Sequence, residues 1–113
     1  MAAYEIPNMR FSAEAGAVVE RRRFVKINAD EKGVKAGAGD AVVGASIVDA
    51  DVGEVLEIAN GIVMVEAAAE IEAGSEVQSD ADGKAIPVEE GVVAGIAMTN
   101  ASGEGSLVAV LIK

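Results

Sequence analysis

Residues 53–67 read GEVLEIANGIVMVEA, two runs of strand-forming residues on either side of Asn60-Gly61. Asn-Gly favours a two-residue type I′ turn, because both central positions of that turn need a positive φ. The sequence therefore predicts a β-hairpin with its turn at these two residues. Four apolar side chains would then share one face of the hairpin and form part of the core: Leu56, Ile58, Val63 and Val65.

The opposite face of this predicted hairpin is half apolar. Ile62 and Met64 would lie on it beside Glu57 and Glu66. Single exposed apolar side chains are common on soluble proteins, and the alternative is a contact with another subunit. We take Ile62 and Met64 as candidate subunit-interface residues.

Short strands and tight turns are also predicted for the rest of the chain. Asp82-Gly83 indicates a second hairpin, in which Ser79 pairs with Ile86 and Pro87 lies at a sheet edge, where its missing N–H is tolerated. Residues 66–72 are the one helical candidate, but seven residues are marginal for a helix, so we expect a connection or a single turn. Further strands are predicted within 17–28, around 40–43 and 45–48, over 91–98 with a break at Gly95, and over 107–112.

The spacing of these strands predicts an all-β fold, a small compact β-barrel or sandwich with an extended N-terminal arm. The last strand, 107–112, is apolar on both faces, so it is either central or covered by a partner. The chain has 113 residues, which suits one domain. Its apolar residues are mostly Ala and Val, with two Phe and one Tyr. Small side chains bury little area each, so we expect the chain to associate with copies of itself.

Residues 1–16 are interpreted as the arm and residues 17–113 as a single β domain. Pro7 disfavours a helix at this point and favours extended geometry for the residue before it. Two interpretations stay open: a docking peptide for another protein, or an ordinary first strand packed on its own core. The candidate docking residues are the larger side chains of the arm: Tyr4, Ile6, Pro7, Met9, Arg10 and Phe11.

Charge is distributed unevenly along the chain, whose net charge is −10. Residues 1–35 hold seven of the nine Lys and Arg, and the remainder is strongly acidic. Such acidity disfavours nucleic acid as a partner. The basic cluster Arg21, Arg22 and Arg23 has no aromatic platform beside it, so a solvated face or salt bridges to the acidic remainder explain it better. A basic segment can also meet the acidic surface of a neighbouring subunit, and we include the three arginines among the candidate interface residues.

The sequence offers almost no groups for catalysis. It has no His and no Cys, so the usual nucleophile–base pairs are missing. Asp49 with Asp51, and Asp80 with Asp82, are carboxylate pairs in turn-like contexts, where Asp is favoured for local backbone hydrogen bonds. A calcium loop starting at Asp80 would need Glu at its twelfth position, where Gly91 stands. We therefore expect no enzyme activity, no metal and no cofactor.

Neither a membrane span nor a signal peptide is predicted. No stretch approaches the roughly 18 apolar residues that a membrane helix needs. The N-terminal residues MAAYEIPNMRF contain no apolar signal segment. We expect no membrane partner.

Several stretches resemble bacteriophage capsid decoration, or head cement, proteins. The similarity spans about residues 16–113 and rests on the order and spacing of strands bounded by glycine. The stretches that carry it include VKAGAGDAVV at 34–43, GEVLEI at 53–58, IEAGSEV at 71–77, DGKA at 82–85, GVVAGIAM at 91–98 and LVAVLI at 107–112.

In that family, small β-rich subunits form trimers on the outside of the virion head and clamp major capsid subunits together, often through an N-terminal arm. The resemblance implies a structural role with no active site. It implies the outer head surface as the location, after synthesis in the host cytoplasm. It also implies the major capsid protein and further copies of the chain, as a homotrimer, as partners.

A carrier or small binding module is the alternative. Biotinyl and lipoyl domains are small barrel-sandwich domains, and the stretch Ile71–Val77 resembles their turns. They carry the cofactor on a Lys at a hairpin tip, and Lys84 follows the predicted turn at Asp82-Gly83. The methionines that typically flank a biotin-bearing Lys are absent here.

Overall fold

The computed structural model describes residues 5–113, so Tyr4, one of the candidate docking residues, lies outside the described part. This part contains nine strands and no helix, which confirms the all-β prediction. All nine belong to one sheet in the order β3-β2-β4-β5-β9-β8-β6-β7, and β1 pairs with β5 outside that order. The strands are β1 Ile6–Glu14, β2 Phe24–Ile27, β3 Gly33–Lys35, β4 Gly44–Ser46, β5 Val55–Glu66, β6 Glu76–Ser79, β7 Ala85–Pro87, β8 Gly95–Ala97 and β9 Leu107–Ile112.

The predicted hairpin turn at Asn60-Gly61 is wrong, because β5 runs through both residues as one strand. Gly61 has a φ of +106°, whereas Asn60 keeps a negative φ, so the type I′ turn is not formed. Gly61 instead faces a bulge of β1 at Asn8. A Cβ at position 61 would lie 2.4 Å from the backbone nitrogen of Asn8. Glycine at this position therefore permits a close strand contact.

Because β5 is continuous, the four predicted core residues do not share one face. Leu56 and Ile58 pack in a smaller core cluster, whereas Val63 and Val65 pack in a larger one on the opposite face. All four are fully buried, so the prediction of burial is confirmed. β5 thus separates two cores and contributes to both.

The sheet consists of two copies of one unit. The hairpin β2–β3, followed by β4, has the same pairing as the hairpin β6–β7, followed by β8. Phe24 and Glu76, which begin β2 and β6, are 52 positions apart. Isolated bridges repeat in the same way: Val19–Ala50 matches Ile71–Ala101, and Ala15–Gly33 matches Ala67–Ala85. We call residues 10–60 the first repeat and residues 62–112 the second repeat.

The repetition extends to single side chains. Lys32 Nζ lies 2.6 Å from Glu14 Oε2, and the equivalent Lys84 Nζ lies 3.1 Å from Glu66 Oε2. At the hairpin tips, Asn28 and Asp80 each accept two backbone N–H groups on their Oδ1 atom. This agreement in detail indicates that the two repeats share one local folding pattern.

The second predicted hairpin is confirmed, with a shift in register. β6 and β7 pair as expected, but Ser79 lies opposite Ala85 rather than Ile86. The shift arises because the Oδ1 of Asp80 bonds the N–H groups of Asp82 and Lys84, which holds a longer loop together. β7 is the last strand in the sheet order, so Pro87 does lie at an edge.

The remaining elements are mostly as predicted. Residues 67–75 form an irregular connection without a helix. β9 lies between β5 and β8, so its central position is confirmed. The strand expected around 40–43 is wrong, because these residues belong to an irregular connection between β3 and β4. From residue 5 onward, no helix has the length and apolar character needed to cross a membrane.

Candidate functional site

Five of the candidate docking residues lie on β1. This strand pairs with β5 along one edge. Among residues 5–113, its other edge meets only a single bridge, between Ala15 and Gly33. Residues 6–10 are exposed, whereas Phe11 and Ala13 pack against the core of the first repeat. β1 therefore has an exposed first part and an anchored second part.

The exposed part of β1 offers several kinds of contact. A free strand edge presents unpaired N–H and C=O groups to which another strand can bind. Ile6 and Met9 are 59% and 55% exposed, so apolar surface lies beside that edge. Arg10 is also exposed, and it has no ion-pair partner within residues 5–113.

Polar contacts attach β1 and its flanking residue to the body of the protein. Before the strand, Glu5 Oε2 lies 3.4 Å from Arg22 Nη1. In the second part, the Ser12 hydroxyl donates to Glu57 Oε1 at 2.8 Å, and Glu14 pairs with Lys32. The Ser12 contact joins β1 to β5, and the other two contacts join it to Arg22 and Lys32, which lie outside β5.

The arginine cluster is largely engaged within the chain. Arg23 is only 12% exposed and pairs with Glu20 and Glu66. Arg22 pairs with Glu5. Arg21 is exposed, and its backbone N–H donates to Asp49 Oδ1. Two of the three guanidinium groups thus form the intrachain salt bridges that the sequence indicated.

The carboxylates of this ion-pair network have lowered pKa values. Burial by itself would raise the pKa of Glu20, but hydrogen bonding from Lys35 and the charges of Lys35 and Arg23 hold it below its ordinary value of 4.5. The hydrogen bond from Lys84 lowers the pKa of Glu66, burial opposes this, and the charges of Lys84 and Arg23 lower it further. Both groups therefore stabilise the fold in their ionised form.

Arg23 also lies at the joint between the two repeats. The tip of the β6–β7 hairpin contacts the start of β2, where the Phe24 N–H donates to the Gly83 carbonyl at 2.7 Å. Arg23 Nη1 donates to the Asp82 carbonyl at 3.4 Å. A Cβ at Gly83 would lie 3.0 Å from the Phe24 carbonyl oxygen. The arginine network thus joins one repeat to the other.

The predicted interface residues Ile62 and Met64 lie on the outer face of the second repeat. Cross-strand pairing places Ile62 between Ile6 of β1 and Leu111 of β9, and Leu111 beside Ile96 of β8. Leu111 is 41% exposed. Sequence reasoning missed Leu111 and Ile96, although the two-sided apolar pattern of 107–112 was a signal for the first. We call the following set the apolar face: Ile6, Ile62, Met64, Ile96, Met98, Leu107 and Leu111.

Three of the four carboxylates that were considered for catalysis accept backbone hydrogen bonds. Asp49 accepts the N–H of Arg21, and Asp51 accepts the N–H of Val52. Asp80 caps its hairpin, as described above. Among residues 5–113, no three acidic side chains are grouped in a way that could hold a metal ion.

Lys84, the candidate carrier residue, is also engaged. Its ammonium group pairs with Glu66 at the base of the hairpin tip. A carrier Lys must instead project from the tip so that its ligase can reach it. This position disfavours the carrier alternative.

Comparison with known proteins identifies the family. The model of the phage cement protein family matches residues 5–112. The chain belongs to this family. It is therefore a structural protein of the phage head, as the resemblance in the sequence implied.

A solved structure of related fold comes from another phage head. The N base of the head fiber gp8.5 of bacteriophage phi29 is 24% identical to this chain. The match covers 93% of each of the two chains and has a TM-score of 0.76. At this identity the likeness concerns the fold. No curated protein matches the chain.

Proposed function

We propose that this cement protein decorates the outer surface of the head and binds the major capsid protein through β1. The observation that carries the proposal is the free edge of β1, whose first part is exposed while its second part is anchored in the core. A strand of the capsid protein pairing with this edge would gain backbone hydrogen bonds without unfolding the cement protein. In this role the chain performs no catalysis.

The side chains of β1 suit such a contact. Ile6 and Met9 supply apolar area beside the edge, and Arg10 supplies a cation that is free to pair with a capsid carboxylate. Before assembly, the net charge of −10 would keep free chains dispersed in the host cytoplasm. Tyr4 and Pro7 remain predicted docking residues, because they belong to the N-terminal arm that the sequence indicates.

The homotrimer is also part of the proposal. Ile62 and Met64 are only half-buried, and Leu111 beside Ile62 is 41% exposed, which supports a subunit contact there. Of the arginine cluster, Arg21 is the member best placed to reach a neighbour, since the other two are engaged within the chain.

Removing residues 1–10 tests the capsid contact. The truncation leaves Phe11 and Ala13 in the first core, so the remaining chain should keep its fold. We expect its occupancy on undecorated heads of its own phage to fall about 30-fold or more, because the exposed part of the docking strand is lost. Cosedimentation with heads measures occupancy, and circular dichroism checks the fold.

A full-length variant provides a second measurement. Met9→Asp combined with Arg10→Glu alters only exposed side chains and should also weaken head binding. The control is Val52→Asp, which places a charge on another exposed apolar residue, close to the anchored end of β1 and away from its exposed part. Unchanged occupancy of both the truncated chain and the double variant would refute the docking role of β1.

A further inference from the structure

We propose that copies of this chain, within the proposed homotrimer, associate through the apolar face of the second repeat. The inference deepens the self-association within the proposed function and rests on it, since it names the surface and its occupant. Apart from Ile62 and Met64, this surface was not found from the sequence. The register of the sheet defines this surface, and the internal repeat indicates what covers it.

The apolar face is an ordered row of side chains. Ile6, Ile62, Leu111 and Ile96 lie opposite one another on four neighbouring strands, β1, β5, β9 and β8. Strands lie about 4.8 Å apart, so the row crosses roughly 15 Å of sheet. A second row follows, in which Met64 lies opposite Ala109, and the N–H of Met98 bonds the Ala109 carbonyl. The two rows make an apolar surface in which Leu111 and Met98 are exposed and the small Ala109 is buried.

In the first repeat, the face equivalent to the apolar face is covered by another part of the chain. The positions equivalent to Leu111 and Ile96 are Ala59 and Ala45, which pair with each other just as Leu111 pairs with Ile96. Both alanines are fully buried in the larger core cluster, together with Val63 and other residues of the second repeat. In the first repeat, this face is therefore packed against a β unit of the same fold.

The second repeat has no such cover. Residues 5–113 contain two repeats, and the row around Leu111 is left partly exposed with larger side chains than its buried equivalent. Leu and Ile at these positions bury more apolar area than Ala when a partner covers them. A second copy of the chain would supply the missing β unit.

The charges around the face permit two acidic chains to meet. Glu66, at one border, is neutralised by Arg23 and Lys84. Glu76, beside Ile96 at another border, pairs with Lys113 at 3.6 Å. Although the chain carries a net charge of −10, these borders are balanced within the chain, so repulsion between copies is small there.

Leu111→Asp tests the inference by sedimentation. We expect the wild-type chain to associate at concentrations up to about 1 mM, a range in which even weak contacts are populated. The variant should associate about 30-fold or more weakly, because it places a charge in an apolar contact. The control is Val52→Asp, because Val52 is an apolar residue that is 64% exposed. Met98→Asp, at the second row, should act like Leu111→Asp, and circular dichroism checks that each variant is folded.

Cross-linking gives an independent readout, since the natural chain has no cysteine. A short thiol-specific linker should join copies of Leu111→Cys and leave Val52→Cys as single chains. A wild-type chain that stays monomeric would overturn the proposal, as would folded Asp variants that associate like wild type. The proposal would also fall if Leu111→Asp left association unchanged but abolished head binding, since the face would then belong to the capsid contact.

Head binding by the wild-type chain is measured separately by cosedimentation. Absence of head binding with association intact would refute the proposed function and leave the assigned self-association surface standing. The two failures are therefore distinguishable.

Discussion

Gly61 permits two strands to stay in contact where their register is irregular. Its φ of +106° and the position of Asn8, whose backbone nitrogen would lie 2.4 Å from an added Cβ, both require the absence of a side chain. β5 can therefore continue past the β1 bulge. At this position glycine lets one strand contribute to two cores.

We expect Gly61→Ala to lower the free energy of unfolding by about 2–3 kcal/mol, through backbone strain and the clash with Asn8. The matched control is Gly53→Ala, where φ is +84° but no atom lies within 4 Å of the added Cβ. Its cost should be about 1 kcal/mol, from the left-handed conformation alone. Urea denaturation measures both changes, and equal losses for the two variants would contradict the proposed contact.

At the scale of elements, the two repeats use the same ion pair in different surroundings. Glu66, at the end of β5, pairs with Lys84 and with the nearly buried Arg23. Glu14, at the end of β1, pairs with Lys32 alone, and its side chain is 54% exposed. The second-repeat pair should contribute more to stability, because solvent screens it less and it has an additional charge-assisted hydrogen bond.

Glu66→Gln should lower the free energy of unfolding by about 1–2 kcal/mol at pH 7, and Glu14→Gln by less than about 1 kcal/mol. Because the folded pKa of Glu66 lies below 4.5, its contribution is present above that pH and is lost as the pH falls through the folded pKa. Denaturation of wild type and of Glu66→Gln between about pH 3 and pH 7, which spans the ordinary pKa of a carboxyl group, tests this. Glu66→Gln should show a smaller loss of stability towards low pH than wild type, and an unchanged pH dependence would contradict the assignment.

At the scale of the whole molecule, the two repeats cannot be separated without exposing a shared core. Phe24 and Ala36 of the first repeat are fully buried in the larger cluster, whose other members come mainly from the second repeat. β5 belongs to both repeats, and the hairpin tip at Gly83 bonds to the first repeat. We therefore expect the repeats to behave as one cooperative unit despite their similar folds.

We expect the two repeats to unfold in a single transition. Amide signals of Val25 and Val77, equivalent residues in the two repeats, should be lost at the same urea concentration when followed by NMR. Phe24→Ala should destabilise both repeats together by about 3–5 kcal/mol, because it leaves a cavity in the shared core. Separate midpoints for the two signals would show independent units.

Local chemistry predicted much of the fold. Strand alternation indicated an all-β chain, Asp82-Gly83 indicated its hairpin, and Pro87 indicated an edge strand. These features depend on residues a few positions apart, so short-range rules suffice. The spacing of glycine-bounded strands also carried the resemblance to head cement proteins, which the family match confirms.

The internal repeat was hidden in the sequence. The similar stretches Val34-Lys-Ala-Gly and Ile71-Glu-Ala-Gly are not equivalent, since Ile71 corresponds to Val19 in the first repeat. Equivalent positions share backbone bonding, which many residue types satisfy, so the residues themselves differ. The candidate site was predicted only in part, because its residues lie on different strands. Ile62 and Met64 were predicted from the pattern of their own segment, whereas Ile96 joins them only through the pairing of strands that are distant in the sequence.

The sequence by itself determined the strand-rich character of the chain, its turn chemistry and the burial of four side chains of β5. The tertiary structure decided that Asn60-Gly61 continues a strand, because the bulge that selects this geometry lies at Asn8, far away in the chain. It also decided which apolar residues remain uncovered. Turns and the alternation of apolar and polar residues depend on neighbours in the sequence. The register between strands and the burial of a sheet face depend on segments that only the folded chain brings together.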